Sequence, residues 1–270
     1  MLISLPFQLI EVSFLVLLAW SFKSEFYSRY RYCNRNTHRK MMSFKSHKSE
    51  NVIDRIKLGS SDLEISKICL GTMTWGQQNT ESEGIEQLNS AFNDYGINFL
   101  DTAEMYPIPT KAETQGQTDR IVAKWLKGMD RSKVILATKV AGHSNFITWL
   151  PGRNGLGSRV NRDQILLSVD ESLKRLGTDY IDLLQIHWPD RYVPLFGQSS
   201  YDVNLVRDHV SFEEQLIVLD ELVKSGKIRY YGISNETPYG VMKFSQAAEK
   251  LGVQKMVSIQ NSYSLLVRFI

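Results

Sequence analysis

Cysteine is scarce in this 270-residue sequence. Only Cys33 and Cys69 occur, and two thiols can form neither a disulfide framework nor, by themselves, a metal site. We therefore expect a reducing compartment and a mechanism that needs no metal ion.

Beyond residue 50 the sequence also lacks any run of basic residues. The formal net charge is +3 overall, but residues 1–50 hold eight Lys and Arg against three Asp and Glu. The remaining residues carry 24 basic against 26 acidic side chains. Binding to a polyanion needs clustered positive charge. The near-neutral body therefore argues against nucleic acid as a partner.

The first fifty residues contain no apolar run of membrane-spanning length. Their uninterrupted apolar stretch covers residues 14–20, whereas a spanning helix needs about 20 residues. A membrane tether is therefore disfavoured. Residues 21–48 are rich in Ser, Tyr and Arg, with Glu25 as the only acid, a composition typical of an organelle transit segment. We predict a targeting-like or disordered segment over residues 1–50, directed to the chloroplast or another organelle. A signal-type segment and a cytoplasmic protein are the alternatives.

From residue 51 onward, apolar strand-like runs alternate with amphipathic segments. Residues 55–58 and 63–65 flank a Gly-Ser-Ser-Asp turn and predict a hairpin. The predicted strands cover residues 67–71, 98–101, 134–139, 180–187, 230–234 and 257–260. The predicted helices cover residues 81–95, 115–126, 162–176, 212–225 and 239–251. Strands without polar alternation are typical of a parallel sheet buried on both faces. The order predicts an α/β fold, either a barrel or an open doubly wound sheet.

Polar side chains stand where three of these strands end. Asp101 and Tyr106 follow the second strand, Lys139 ends the third and His187 ends the fourth. In a parallel barrel such ends meet at one rim. A tyrosine has an ordinary pKa of about 10, and a lysine paired with an aspartate can stabilise its phenolate. A histidine can donate a hydrogen bond to a carbonyl oxygen. The set predicts proton-assisted carbonyl reduction with hydride from a nicotinamide.

Five ordered motifs make the chain similar to the aldo-keto reductases from about residue 53 to 266. They are LGTMTWG at residues 70–76, DTAEMY at 101–106, ATK at 137–139, GISN at 232–235 and QNSY at 260–263. The resemblance implies a (β/α)₈ TIM-barrel fold, NADPH or NADP as cofactor, and aldehydes or ketones as substrates.

The same resemblance assigns roles to individual residues. It implies a catalytic tetrad of Asp101, Tyr106, Lys139 and His187, with Tyr106 as general acid. The positions it implies for cofactor binding are Thr72, Met73 and Asp101 near the nicotinamide ribose, with Ser234, Asn235 and Gln260 at the carboxamide. The positions it implies for the walls of the substrate pocket are Trp75, Tyr106 and Trp188.

Each of these residues also has a purely structural interpretation. Asp101 could cap a turn, Lys139 could be a solvated strand-end lysine, and a single buried histidine such as His187 is usually structural. Joint occurrence at three successive strand ends favours the functional interpretation. For Ser234 and Asn235, a helix N-cap ahead of Pro238 is the alternative. For Trp75 and Trp188, the alternative is a place in the core.

Two long segments, residues 142–161 and 188–210, follow strands on the predicted active rim. Loops of this length in a compact domain are usually functional lids or disordered insertions. We expect them to shape substrate specificity as lids.

Only six strand-helix units are counted, so we expect an incomplete barrel over residues 51–270. In the family, the remaining units carry the nicotinamide-stacking residue, most of the pyrophosphate clamp and the basic residues that read the 2′-phosphate. No Gly-rich phosphate loop elsewhere replaces them. We therefore expect this chain to be a truncated isoform with weak or absent activity. The alternatives are a non-catalytic interaction module similar to the potassium-channel β-subunits, and a homo-oligomer in which a partner chain completes the site.

Overall fold

The computed structural model describes residues 52–198 and 200–264. The predicted targeting-like segment, residues 1–50, lies outside this range, so its interpretation stays a prediction. Within the described residues, no helix combines the length and the apolar character that a membrane span requires.

A short antiparallel hairpin precedes the main sheet, as predicted. Its strands are β1 (Arg55–Lys57) and β2 (Glu64–Ser66), and Ile56 lies opposite Ile65. The turn between them is closed by Ser61, whose backbone N–H donates to the carbonyl oxygen of Leu58 at 3.0 Å.

Six strands then form one parallel sheet in which every strand pairs with its neighbour in sequence. The strands are β3 (Cys69–Gly71), β4 (Phe99–Asp101), β5 (Ile135–Val140), β6 (Ile181–Ile186), β7 (Ile228–Ser234) and β8 (Ile259–Gln260). The helices between them are α1 (Glu81–Asp94), α2 (Gln117–Leu126), α3 (Arg162–Leu176), α4 (Phe212–Lys224) and α5 (Pro238–Leu251). Two 3₁₀ turns, Arg131–Lys133 and Val203–Leu205, lie in the connections. A six-stranded parallel sheet with intervening helices confirms the predicted incomplete barrel.

The helix boundaries follow from local capping. Thr80 and Glu83 form a capping box at the start of α1, in which each side chain satisfies a backbone N–H at the helix start. Asn161 caps α3, and Gly177 ends it with a φ of 64°, which costs glycine little. Capping residues of this kind are visible in the sequence and account for the agreement between the predicted and observed starts of α1 and α3.

Alternate residues of each strand face opposite layers. Leu184 of β6 lies in the cluster packed against α3, α4 and α5. Its neighbour Leu183 lies in a second cluster with Ile135, Leu58 and Leu63. The last two residues belong to the hairpin and its turn, so the hairpin covers the sheet face away from the helices at the amino ends of the strands. The carboxyl ends of the strands remain available for a site.

Candidate active site

Asp101 and Lys139 stand at the carboxyl ends of the adjacent strands β4 and β5 and form a buried ion pair. Their Oδ2 and Nζ atoms are 2.5 Å apart, and each side chain is 2% exposed. Nζ also donates to the carbonyl oxygen of Thr102 at 2.9 Å. Gln185 of β6 donates to the other carboxylate oxygen of Asp101 at 3.2 Å. The ammonium is therefore held in one position among oxygen acceptors.

The electrostatics of this pair follow from burial and from the partners. Burial raises the pKa of Asp101, while Lys139 and Gln185 act to lower it. Burial alone would lower the pKa of Lys139, but the carboxylate of Asp101 and the hydroxyl of Tyr106 raise it above its ordinary value. Lys139 is therefore a cation at neutral pH.

Tyr106 completes a three-residue unit with this pair. Lys139 Nζ donates to its hydroxyl oxygen at 3.3 Å, and the tyrosine is nearly buried. Burial raises the pKa of Tyr106, against the lowering effect of Lys139. The expected stabilisation of the phenolate by Lys139 is present, but burial outweighs it in the resting site. The phenol is therefore protonated at neutral pH and available as a proton donor.

His187 lies beside Tyr106, directly after β6. The two rings meet edge to face with centroids 5.7 Å apart. Burial, and then the positive charge of Lys139, hold the pKa of His187 well below its ordinary value. Its Nδ1 has no hydrogen-bond partner in the described part of the chain. The imidazole is therefore neutral at physiological pH, with one N–H to donate.

Glu104 lies in the DTAEMY motif, but no role was predicted for it from the sequence. Its carboxylate accepts from the backbone N–H of Ala141 at 2.7 Å and pairs with Arg153 at 3.2 Å. Arg153 also donates to Ser168 of α3 at 2.9 Å. These bonds join the Tyr106 segment, the end of β5 and the loop of residues 142–161. The loop is therefore anchored to the domain by a buried residue in its middle, Arg153. The buried arginine could not be found from the sequence, because its partner lies 49 positions away.

The hydroxyl of Thr72, one of the predicted cofactor residues, is fully buried and serves the backbone. It donates to the carbonyl oxygen of Asp101 at 2.8 Å. The side chain of Met73 packs, partly buried, in the cluster that contains Tyr106 and Trp188. The structure thus places Thr72 beneath the rim and Met73 beside the tetrad.

Ser234, Asn235 and Gln260 are brought together at the ends of β7 and β8. Ser234 Oγ donates to the carbonyl oxygen of Gln260 at 2.7 Å, and Asn235 Nδ2 donates to that of His187 at 2.9 Å. Asn235 adopts a left-handed backbone with a φ of 50°. The N-cap of α5 is Thr237, so the alternative that Ser234 and Asn235 cap this helix is wrong.

This group has the chemistry to hold an amide. The buried Oε1 of Gln260 has no hydrogen-bond partner among the described residues, and an unsatisfied buried acceptor is unfavourable. A carboxamide N–H would satisfy it. The residues present therefore fit the nicotinamide end of the predicted cofactor.

Trp188 lies on the rim, whereas Trp75 does not. Trp188 packs in one cluster with Tyr106, and its indole donates to the carbonyl oxygen of His143 at 2.8 Å. A Cβ at Gly142 would lie 2.0 Å from the carbonyl oxygen of Trp188, so only glycine fits there.

The prediction that Trp75 walls the pocket is wrong. The residue is 1% exposed and packs with Leu88 of α1 and with Ile121 and Trp125 of α2. Its indole donates to Gln87 of α1 at 3.0 Å. The chain turns toward α1 after β3, which carries this side chain to the helix side of the sheet.

In the described part of the chain, no three side chains of the His, Cys, Asp or Glu type are grouped so that they could hold a metal ion. The candidate site consists of an Asp, a Tyr, a Lys and a His at the carboxyl rim of a six-stranded parallel sheet.

Comparison with known proteins shows which class this is. The model of the aldo/keto reductase family matches residues 67–269. Protein Tas of Escherichia coli (strain K12) is 44% identical over 217 residues, which cover 78% of this chain and 60% of Tas. Versiconal hemiacetal acetate reductase of Aspergillus parasiticus is 34% identical over 230 residues, with coverages of 78% and 60%. The chain belongs to the aldo/keto reductase family, and it spans about 60% of the length of these curated relatives.

A solved structure agrees with the fold. The crystal structure of a thermostable aldo-keto reductase bound to the inhibitor epalrestat is similar with a TM-score of 0.57 and 28% sequence identity. The similarity covers 80% of this chain and 65% of that chain. The six parallel strands are therefore those of the family's barrel.

Proposed function

We propose that this protein is an NADPH-dependent oxidoreductase that reduces the carbonyl group of an aldehyde or ketone, with Tyr106 as the general acid. One observation carries the proposal. The hydroxyl of Tyr106 lies 3.3 Å from the ammonium of Lys139, which is itself fixed by Asp101, and the ring of His187 lies alongside.

The roles follow from the site's chemistry. NADPH, when bound, supplies the hydride, and Ser234, Asn235, Gln260 and the segment around Met73 are the residues proposed to hold its nicotinamide end. Tyr106 donates the proton from its hydroxyl to the carbonyl oxygen as negative charge develops there. An alkoxide is a much stronger base than a phenolate, so the raised pKa of Tyr106 still allows this transfer.

Lys139 and Asp101 support that donation. The ammonium of Lys139 stabilises the phenolate that Tyr106 becomes, since it already donates to the same oxygen. Asp101 neutralises the ammonium while the site is at rest, because an unpaired charge in a buried site is costly. His187, neutral and carrying one N–H, orients the carbonyl oxygen by a hydrogen bond.

The decisive experiment compares Tyr106→Phe with the parent protein and with Tyr95→Phe, a half-exposed tyrosine at the end of α1. NADPH binding is measured by fluorescence titration on the full chain, with a thermal melt to establish folding. Reduction of 4-nitrobenzaldehyde is then followed by NADPH consumption. We expect Tyr106→Phe to bind NADPH like the parent and to lose about 10²–10⁴-fold in kcat.

The control Tyr95→Phe should keep both properties. Unchanged turnover in Tyr106→Phe would exclude the proposed role of the tyrosine. A folded parent that neither binds NADPH nor reduces the aldehyde would contradict the enzymatic proposal. A non-catalytic interaction module would then be the better description.

A further inference from the structure

A cavity outside the tetrad lies between the segment that follows β6 and the first turn of α5. Its volume is about 410 Å³, which is within the range of volumes found for small-molecule sites. Three basic and three aromatic side chains border it, namely Arg191, Arg207, His209, Tyr192, Tyr201 and Tyr239. No acidic side chain is among the described residues that line it. The chemistry of this cavity is therefore basic and aromatic.

Arg191 does not supply free positive charge to this cavity. Its Nη1 donates to one carboxylate oxygen of the buried Glu236 at 2.8 Å, and its Nη2 donates to the other. Nη2 also donates to the hydroxyl of Thr237 at 2.9 Å. In this bidentate ion pair the carboxylate of Glu236 cancels the charge of Arg191.

Arg207 is different, because no carboxylate among the described residues forms an ion pair with it. Its Nε and Nη2 donate at 3.3 Å to the backbone carbonyl oxygens of Asp190 and Arg191. Among the described residues, Arg207 forms no salt bridge, and its Nη1 makes no hydrogen bond. The two carbonyl bonds hold the guanidinium at the edge of the cavity, but neutral carbonyl groups do not cancel its charge.

The carboxylate of Asp190 acts on Arg207 only at a distance, because its oxygens are bonded to other groups. Arg159 binds both carboxylate oxygens of Asp190, at 2.9 and 2.8 Å. The backbone N–H groups of Val160 and Val210 also donate to that carboxylate. Burial, together with the positive charge of Arg159, lowers the pKa of Arg207 more than the carboxylate of Asp190 raises it. The guanidinium has therefore lost part of its hydration without gaining an ion pair of its own. A partly desolvated, unpaired cation favours an anionic ligand.

We propose that this cavity binds a small aromatic carboxylate, whose carboxylate group pairs with Arg207 and whose ring packs against the tyrosines. A planar carboxylate matches the geometry of a guanidinium. Tyrosine rings offer broad apolar contact for a flat ligand body. The inference does not depend on carbonyl reduction, since no tetrad residue lines the cavity.

The test uses benzoate and its neutral counterpart benzamide, titrated calorimetrically into the full chain. Two matched variants place a carboxylate in the same segment. Val206, which is 56% exposed, lines the cavity, whereas Val203, which is 71% exposed, does not. We expect benzoate to bind. Benzamide should bind with at least about tenfold lower affinity, which corresponds to the loss of one charged hydrogen bond. Val206→Glu should weaken benzoate binding about tenfold or more, and Val203→Glu by less than about twofold.

A substitution of the arginine and a second anion test the same site. Arg207→Gln should abolish benzoate binding while leaving NADPH binding unchanged. Inorganic phosphate should bind more weakly than benzoate if the tyrosines contribute. The proposal is overturned if benzoate does not bind, if benzamide binds equally well, or if Val206→Glu retains full affinity, because the ligand would then sit elsewhere or not depend on charge.

Discussion

The carboxylate of Glu104 and the guanidinium of Arg153 lie 3.2 Å apart, and neither side chain is more than 1% exposed. Glu104 stands two positions before Tyr106, and it also accepts from the backbone N–H of Ala141, two positions after Lys139. The pair therefore ties the segment that carries Tyr106 to strand β5, which carries Lys139. Removing one member leaves a buried charge without its counterion.

We predict that Glu104→Gln destabilises the protein by about 3–5 kcal/mol, because the guanidinium of Arg153 stays buried and unpaired. The matched control is Glu213→Gln, which breaks a pair of nearly the same length, 3.3 Å, whose members are exposed. That change should cost less than about 1 kcal/mol. Urea unfolding measures both, and equal costs would show that burial of the pair is unimportant.

The pair of Asp101 and Lys139 should behave as one unit. Asp101→Asn alone leaves a buried ammonium uncompensated and should destabilise the fold by about 3–5 kcal/mol. The double variant Asp101→Asn with Lys139→Met should cost less than the sum of the single changes, since the residues are in contact. Unfolding of all four proteins completes the cycle. Strict additivity would contradict a charged pair.

His187 should make stability depend on pH. Its folded pKa lies well below the ordinary value, while an unfolded histidine titrates near 6.5. Below about pH 6.5 the unfolded state therefore binds more protons, and the stabilisation is lost as the pH falls. The contribution reaches about 1.4 kcal/mol per pH unit.

The free energy of unfolding, measured between pH 7.5 and 5, should consequently fall less steeply in His187→Gln than in the parent. The exposed His209 provides the control, since His209→Gln removes a histidine that is not buried. If the slope is the same in His187→Gln and the parent, the imidazole is not held neutral.

We predict that Gln260 contributes to NADPH affinity but contributes little to the stability of the fold. Its Oε1 has no partner within the described part of the chain, so Gln260→Met should change stability by less than about 1 kcal/mol. NADPH affinity should fall by up to about tenfold, the worth of one hydrogen bond. Gln254→Met, which alters a glutamine before β8 with an unpartnered Nε2, should leave NADPH affinity unchanged. Equal effects of the two variants would remove Gln260 from the cofactor site.

Local signals in the sequence predicted the helices more accurately than the strands. The predicted helix at residues 162–176 coincides with α3, because Asn161 and Gly177 mark its ends chemically. The second helix was predicted from residue 115 but begins at Gln117, after Gly116 with a φ of 75° and no side-chain cap. Strand β8 covers only the last two residues of the predicted segment 257–260. A strand is defined by pairing with a neighbour, which a single segment does not reveal.

The tetrad could be inferred from the sequence because strand order alone places Asp101, Tyr106, Lys139 and His187 at one rim. The failure at Trp75 has the opposite cause. Its position next to a motif gave no information about which side of the sheet its indole would occupy. The packing against α1 and α2 decided that position.

The sequence by itself determined the order of strands and helices, the family and the four residues at the rim, since these depend on local periodicity, capping and motif spacing. The tertiary structure decided which charges pair. Arg153 is neutralised by Glu104, whereas Arg207 is bonded to two backbone carbonyl oxygens and has no ion pair within the described part of the chain. The physical reason is that the cost of a buried charge depends on partners brought from distant parts of the chain.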